Sequence, residues 1–139
     1  MVYSVGLPAP ATVASMTALR IMLREPERVA KLQANGQRLV EVAKAKGLDT
    51  GGSWGYAVTP IIVGDSLRTI MLADRLFKRG INAFPIIPPG VPEKSARLRF
   101  FLSSAHKLAD VDAAMIATAE ELGALEAQDM SVTSLAKLM

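Results

Sequence analysis

The chain has 139 residues, half of them apolar and 21% charged, which suits one soluble domain with a buried core and excludes intrinsic disorder. Lysine and arginine number 16 against 13 aspartates and glutamates; the net charge of +3 is too mild and scattered to announce a nucleic acid or an anionic membrane as partner. The absence of cysteine excludes a disulfide framework and a thiolate metal site and suits a reducing cytoplasm. A single histidine, His106, argues against a zinc or triad-type hydrolase. No apolar run approaches the roughly 20 residues that a bilayer requires. The small-residue N-terminus also lacks the basic start of an export signal and contains Pro8 and Pro10.

In chain order, Val13, Met16, Leu19 and Leu23 recur at helical spacing and predict a helix with one buried stripe, ending near Glu25 before Pro26. Pro26 opens a second helix, whose stripe is Val29, Leu32, Leu39, Val42 and Ala43 and whose stop is Gly47. Gly36 in its middle weakens it. A glycine-rich turn over 49–55 leads to a strand over 57–63, where Pro60 points to a sheet edge or a bulge. Asp65 is placed to cap a third helix that faces the core with Leu67, Ile70, Met71 and Phe77 and ends at Gly80. A short strand over 81–86, a rigid proline loop over 88–92 and an alternating strand over 95–102 follow. The last helix runs from Leu108 to Leu125 with Val111, Met115, Ala119 and Leu122 inward, and 126–139 reads as a loose tail. The pattern predicts an α/β fold, a short sheet covered by helices.

In the alternating strand, Leu98, Phe100 and Leu102 point one way and Arg97, Arg99 and Phe101 the other. Both guanidinium groups thus emerge on one face, and either could grip a carboxylate through its planar fork. The bland alternative is two solvated arginines on an open sheet face. His106, at a strand-to-helix junction and without a companion ligand, reads as a hydrogen-bonded junction residue. The turn Gly51-Gly-Ser-Trp-Gly55 lacks the spacing of a phosphate-binding loop.

Three stretches carry more. Tyr3-Ser-Val-Gly-Leu-Pro8, Thr59-Pro-Ile-Ile-Val-Gly-Asp65, and Pro88-Pro-Gly-Val-Pro-Glu-Lys-Ser-Ala-Arg-Leu-Arg-Phe100 with Ser103-Ser-Ala-His106 resemble, in order and spacing, the pyridoxal-phosphate-dependent α-oxoamine synthase family. The resemblance covers residues 2 to about 122. It implies the small C-terminal domain of a fold-type I pyridoxal phosphate enzyme, the fold of class I and II aminotransferases. Residues 1–25 would be the end of the large domain and the connecting helix, 26–125 the small α/β domain, and 126–139 the tail.

The resemblance further implies condensation of an amino acid with an acyl-CoA or acyl-carrier thioester, decarboxylative in most relatives, to an α-amino ketone, in a cytoplasmic homodimer. Arg99 matches the family's binder of the amino-acid carboxylate, and Ser4 matches a serine that reaches the cofactor phosphate of the partner subunit. Ile87, Gly90 and Gly6 stand where some relatives have arginine, threonine and a second serine. The Schiff-base lysine of the family lies upstream of the Ser4 stretch, and no lysine here sits in its context. No catalytic residue is therefore assigned, and the chain by itself is expected to be inactive. A true aminotransferase domain and a non-catalytic dimerisation or assembly module are the alternatives.

Overall fold

A computed structural model of the chain describes residues 6–136, with side chains to residue 134. Helix α1 (Ala9–Arg24) is followed by α2 (Pro26–Ala45), strand β1 (Val58–Ile62), α3 (Ser66–Lys78), β2 (Phe84–Ile86), a short 3-10 turn (Glu93–Ser95), β3 (Arg97–Phe101), α4 (Leu108–Ala127) and α5 (Val132–Ala136). The three strands are antiparallel in the order β1-β3-β2, so Pro60 does lie on an edge strand, where its missing N–H leaves no gap in a ladder.

One sheet face is closed by α2, α3 and α4. Leu39, Leu72, Leu76, Met115 and Leu125 from the helices meet Ile61 and Leu98 from the sheet, all essentially inaccessible to water. Burial of apolar area on this scale is the main force holding the fold. Alternation along β3 is as expected: Leu98 and Phe100 are buried, Arg97 and Arg99 half-buried, and Phe101 exposed. Asp65 caps α3, its Oδ1 accepting from the Arg68 N–H at 2.9 Å.

Four expectations need correction. No residue of α1 is buried, and Val13, Met16, Leu19 and Leu23 are exposed. Periodicity reports that a stripe exists, not that something covers it, and within this chain the principal partner of α1 is α2. On α3, Ile70 and Phe77 also face outward; the core face is Thr69, Leu72 and Leu76. The second strand is shorter than expected, because residues 81–83 leave the ladder. Finally, residues 126–136 are not a loose tail: α4 continues to Ala127 and α5 follows. This segment is fastened to α3 by Arg68 Nε to the Met130 carbonyl (3.1 Å), Arg75 to Gln128 (2.8 Å) and the Val132 N–H to Asp65 Oδ2 (2.9 Å).

Helices α2 and α4 are also joined by a two-pronged pair, Arg38 Nε and Nη2 to the two Asp112 oxygens at 2.7 and 2.8 Å. Hydrogen bonds from Arg38 hold the Asp112 carboxyl below the usual carboxylate range. A depressed folded-state value adds stability above the ordinary carboxylate value and loses it as pH falls through the lower one. Asp112→Asn is therefore expected to flatten the acid limb of the stability profile. Urea midpoints from neutral pH down to about 3 should decline less for the variant, and parallel declines would remove this pair from the account.

Candidate functional site

The open sheet face is laid out by the register of β3. Arg99 stands between Pro60 on β1 and Phe84 on β2, and Arg97 stands between Ile62 and Ile86. The base of β3 is fixed by the chain before it. The Ala96 carbonyl accepts from both Val63 and Gly64 N–H at 2.9 Å, and Glu93 Oε1 accepts from Ser66 N–H at the start of α3 (2.5 Å). A guanidinium rising from so constrained a strand has a defined place.

The two arginines differ. Arg97 Nε donates to the Ser95 carbonyl at 2.7 Å, folding its head back along its own strand. The Arg99 guanidinium has no hydrogen bond or ion pair among the described residues. Its neighbours across the ladder are apolar, and the pyrrolidine of Pro60 brings no N–H to compete for an anion. A free, half-buried guanidinium on an apolar floor is suited to a carboxylate, because excluding water strengthens the pairing.

Of the other singled-out residues, Ser4 lies outside the described residues. His106 is a junction residue as expected, its Nδ1 accepting from the Ser103 N–H at 3.0 Å. Ile87 and Gly90 form the turn before the 3-10 segment, with the Gly90 N–H bonded to the Ile87 carbonyl. Sequence reasoning missed Asn35. It is 1% exposed, and its Nδ2 donates to the carbonyls of Ser103 (3.0 Å) and His106 (3.1 Å), tying α2 to the exit of β3. Its Oδ1 has no partner. An asparagine in a helix with polar neighbours carries no sequence mark of such a tie.

A pyridoxal phosphate site needs an amine for the aldehyde, and this face does not supply one. None of the three strands contains a lysine. Among the described residues the lysines lie on helices and turns, Lys78 being paired with Asp74 at 2.6 Å. The residues present fit an anion subsite and do not fit the cofactor as a whole. No group of residues that could hold a metal ion occurs among those described, and no described helix is long and apolar enough to cross a membrane.

No protein-family model matches the chain. It is 38% identical over 124 residues to an 8-amino-7-oxononanoate synthase of Symbiobacterium thermophilum, a match covering 87% of this chain and 31% of that protein, in its C-terminal portion. The chain matches the C-terminal portion of the α-oxoamine synthases. It spans about a third of the length of the relatives it matches. The fold agrees. The 8-amino-7-oxononanoate synthase of Francisella tularensis superposes with a TM-score of 0.74 at 24% identity, over 87% of this chain and 35% of that one. A serine palmitoyltransferase from S. paucimobilis, solved with a pyridoxal phosphate–myriocin aldimine, gives 0.79 at 19% identity over 90% and 32%. The small sheet and its helices are part of the fold shared with these proteins.

Proposed function

We propose that this domain is the C-terminal part of a pyridoxal-phosphate-dependent acyltransferase that condenses an amino acid with an acyl thioester to give an α-amino ketone. The observation that carries the reading is Arg99, a guanidinium without a partner on the open sheet face. Its fork would take the amino-acid carboxylate in two parallel hydrogen bonds, fixing the orientation of the substrate. Arg97, tied to the Ser95 carbonyl, would steady the strand beneath it. Ser4 is assigned the hydroxyl donor to the cofactor phosphate of a partner subunit, supported by the family resemblance of its stretch. The Schiff-base lysine is placed outside this chain, in the cofactor domain of a cytoplasmic homodimer. Residues 1–25 would join that domain to the small domain at 26–125.

The test is Arg99→Ala in the complete protein. Loss of a charged hydrogen bond is worth about 1.5–3 kcal/mol, so KM for the amino acid should rise about tenfold to a hundredfold, with KM for the thioester unchanged. Unchanged amino-acid kinetics would sink the assignment of Arg99. Amino-group transfer without thiol release would mark an aminotransferase instead. The chain alone, mixed with pyridoxal phosphate and reduced with borohydride, should give no adduct at a single lysine.

A further inference from the structure

Trp54 is the chain's single tryptophan, and it is 82% exposed. The turn that bears it rests on α2, with Gly55 and Gly36 in backbone contact and no room for a side chain between them. Upstream, the Asp49 carbonyl accepts from the Ile62 N–H at 2.8 Å, and Asp49 Oδ1 accepts from the Gly51 N–H at 2.7 Å. An aromatic side chain presented on a fixed turn loses little freedom on binding, which suits it to anchor an interface. Beside it runs an open groove of about 660 Å³. Gln37, Val40, Glu41 and Lys44 of α2 form one wall, and the glycine backbone at 51–52 with Trp54 forms the other. The Trp54 indole N–H, the Gln37 amide and the Lys44 ammonium have no hydrogen-bond or ion-pair partner among the described residues. Glu41 meets Arg38 at 3.1 Å and keeps its side chain largely in water.

We propose that two copies of the chain associate through this face about a two-fold axis, each Trp54 entering the groove of the other. The knob and the groove that fits it lie side by side on one surface, as a self-complementary contact requires. An indole needs apolar cover for its ring and one acceptor for its N–H. Val40 and the glycine backbone supply the first, and the Gln37 amide oxygen the second. The charges complement themselves too. Glu41 and Lys44 stand three residues apart on α2, so two helices crossing antiparallel set Glu41 of each copy against Lys44 of the other. A groove carrying one charge of each sign calls for a mate of the same make-up, not for a strongly acidic or basic partner. Aromatic side chains bury roughly 150–250 Å² each, so two reciprocal tryptophans and their rims amount to a small interface and a reversible dimer. The surface includes neither Ser4 nor Arg99. It is therefore additional to the homodimer of the acyltransferase reading and independent of that reading.

Because Trp54 is the only tryptophan, its fluorescence in the 139-residue chain reads this face alone. Over a dilution series the emission should move to shorter wavelength as concentration rises, in step with the dimer mass from sedimentation. Trp54→Ala should stay monomeric with an unchanged circular dichroism spectrum. Lys44→Glu and Glu41→Lys should each weaken association about tenfold. The double variant, with the two charges exchanged, should regain it. A monomer at every concentration would overturn the proposal. A rise in mass without an emission shift would overturn it as well, placing the contact elsewhere, on the apolar face of α1. A double variant no better than the singles would remove the antiparallel crossing and with it the two-fold contact.

Discussion

Replacing Gly36 by alanine should destabilise the protein, reversing the usual sign. In the middle of a helix, alanine is normally favoured over glycine by about 1 kcal/mol. Here a Cβ on Gly36 would lie 2.1 Å from the Gly55 carbonyl oxygen and 2.7 Å from both the Gly55 carbon and the Tyr56 oxygen. These are backbone atoms with no rotamer to yield. Gly55 holds φ +77° and itself sits with its hydrogen face against α2, where a Cβ would be 2.9 Å from Gln37 Cα. The turn after α2 is thus seated directly on the helix. Gly36→Ala must push the two apart, at about 1–3 kcal/mol for overpacking a fitted contact. Gly123→Ala is the internal control: it also lies within a helix, α4, and meets nothing within 4 Å. Urea unfolding should show Gly36→Ala less stable than the parent and Gly123→Ala at least as stable. A stabilised Gly36→Ala would mean that α2 and the turn do not touch as described.

Asn35→Asp carries the larger expected loss. The Asn35 amide nitrogen donates to two carbonyl oxygens in a site closed to water. An ionised aspartate there would set a charge against both acceptors, and an unpaired buried charge costs about 3–5 kcal/mol. Protonated, it could donate to only one of them. Its folded-state pKa would be raised above the ordinary value of about 3.9. A raised carboxyl supports the fold below that ordinary value and withdraws its support as pH rises through the folded one. The deficit of Asn35→Asp against the parent should accordingly widen between about pH 4 and pH 7. A deficit independent of pH would show that the aspartate escapes to water.

How much of this was legible in the sequence depended on whether a signal was local. The cap at Asp65 and the edge position of Pro60 follow from what one residue does to its own backbone, and both are found. The alternation of Arg97 and Arg99 with Leu98 and Phe100 follows from strand geometry and is also found. The face of α3 was not legible because apolar side chains surround that helix. Only the position of the sheet selects Leu72 and Leu76 over Ile70 and Phe77. Thr69 is buried there through a hydrogen bond from its own hydroxyl to the Asp65 carbonyl, which hides its polarity.

The site divides in the same way. Arg99 could be placed on a face from periodicity, but its lack of a partner is a property of everything around it. The resemblance to the α-oxoamine synthases gave it a role, and Asn35 had no comparable marker. Its two acceptors are 68 and 71 residues away in the chain. The Gly36–Gly55 contact was equally silent, since a glycine in a helix reads as weakness until its neighbour is known.

Helix α1 leaves Val13, Met16, Leu19, Met22 and Leu23 against water, with no buried residue along its length. Its surface has the chemistry of an interior. The attraction between such surfaces fades on cooling and grows when sulfate or phosphate is excluded from them. Cold, dilute buffer is therefore expected to keep the chain dispersed, and warmth or salting-out anions to drive α1 toward apolar cover.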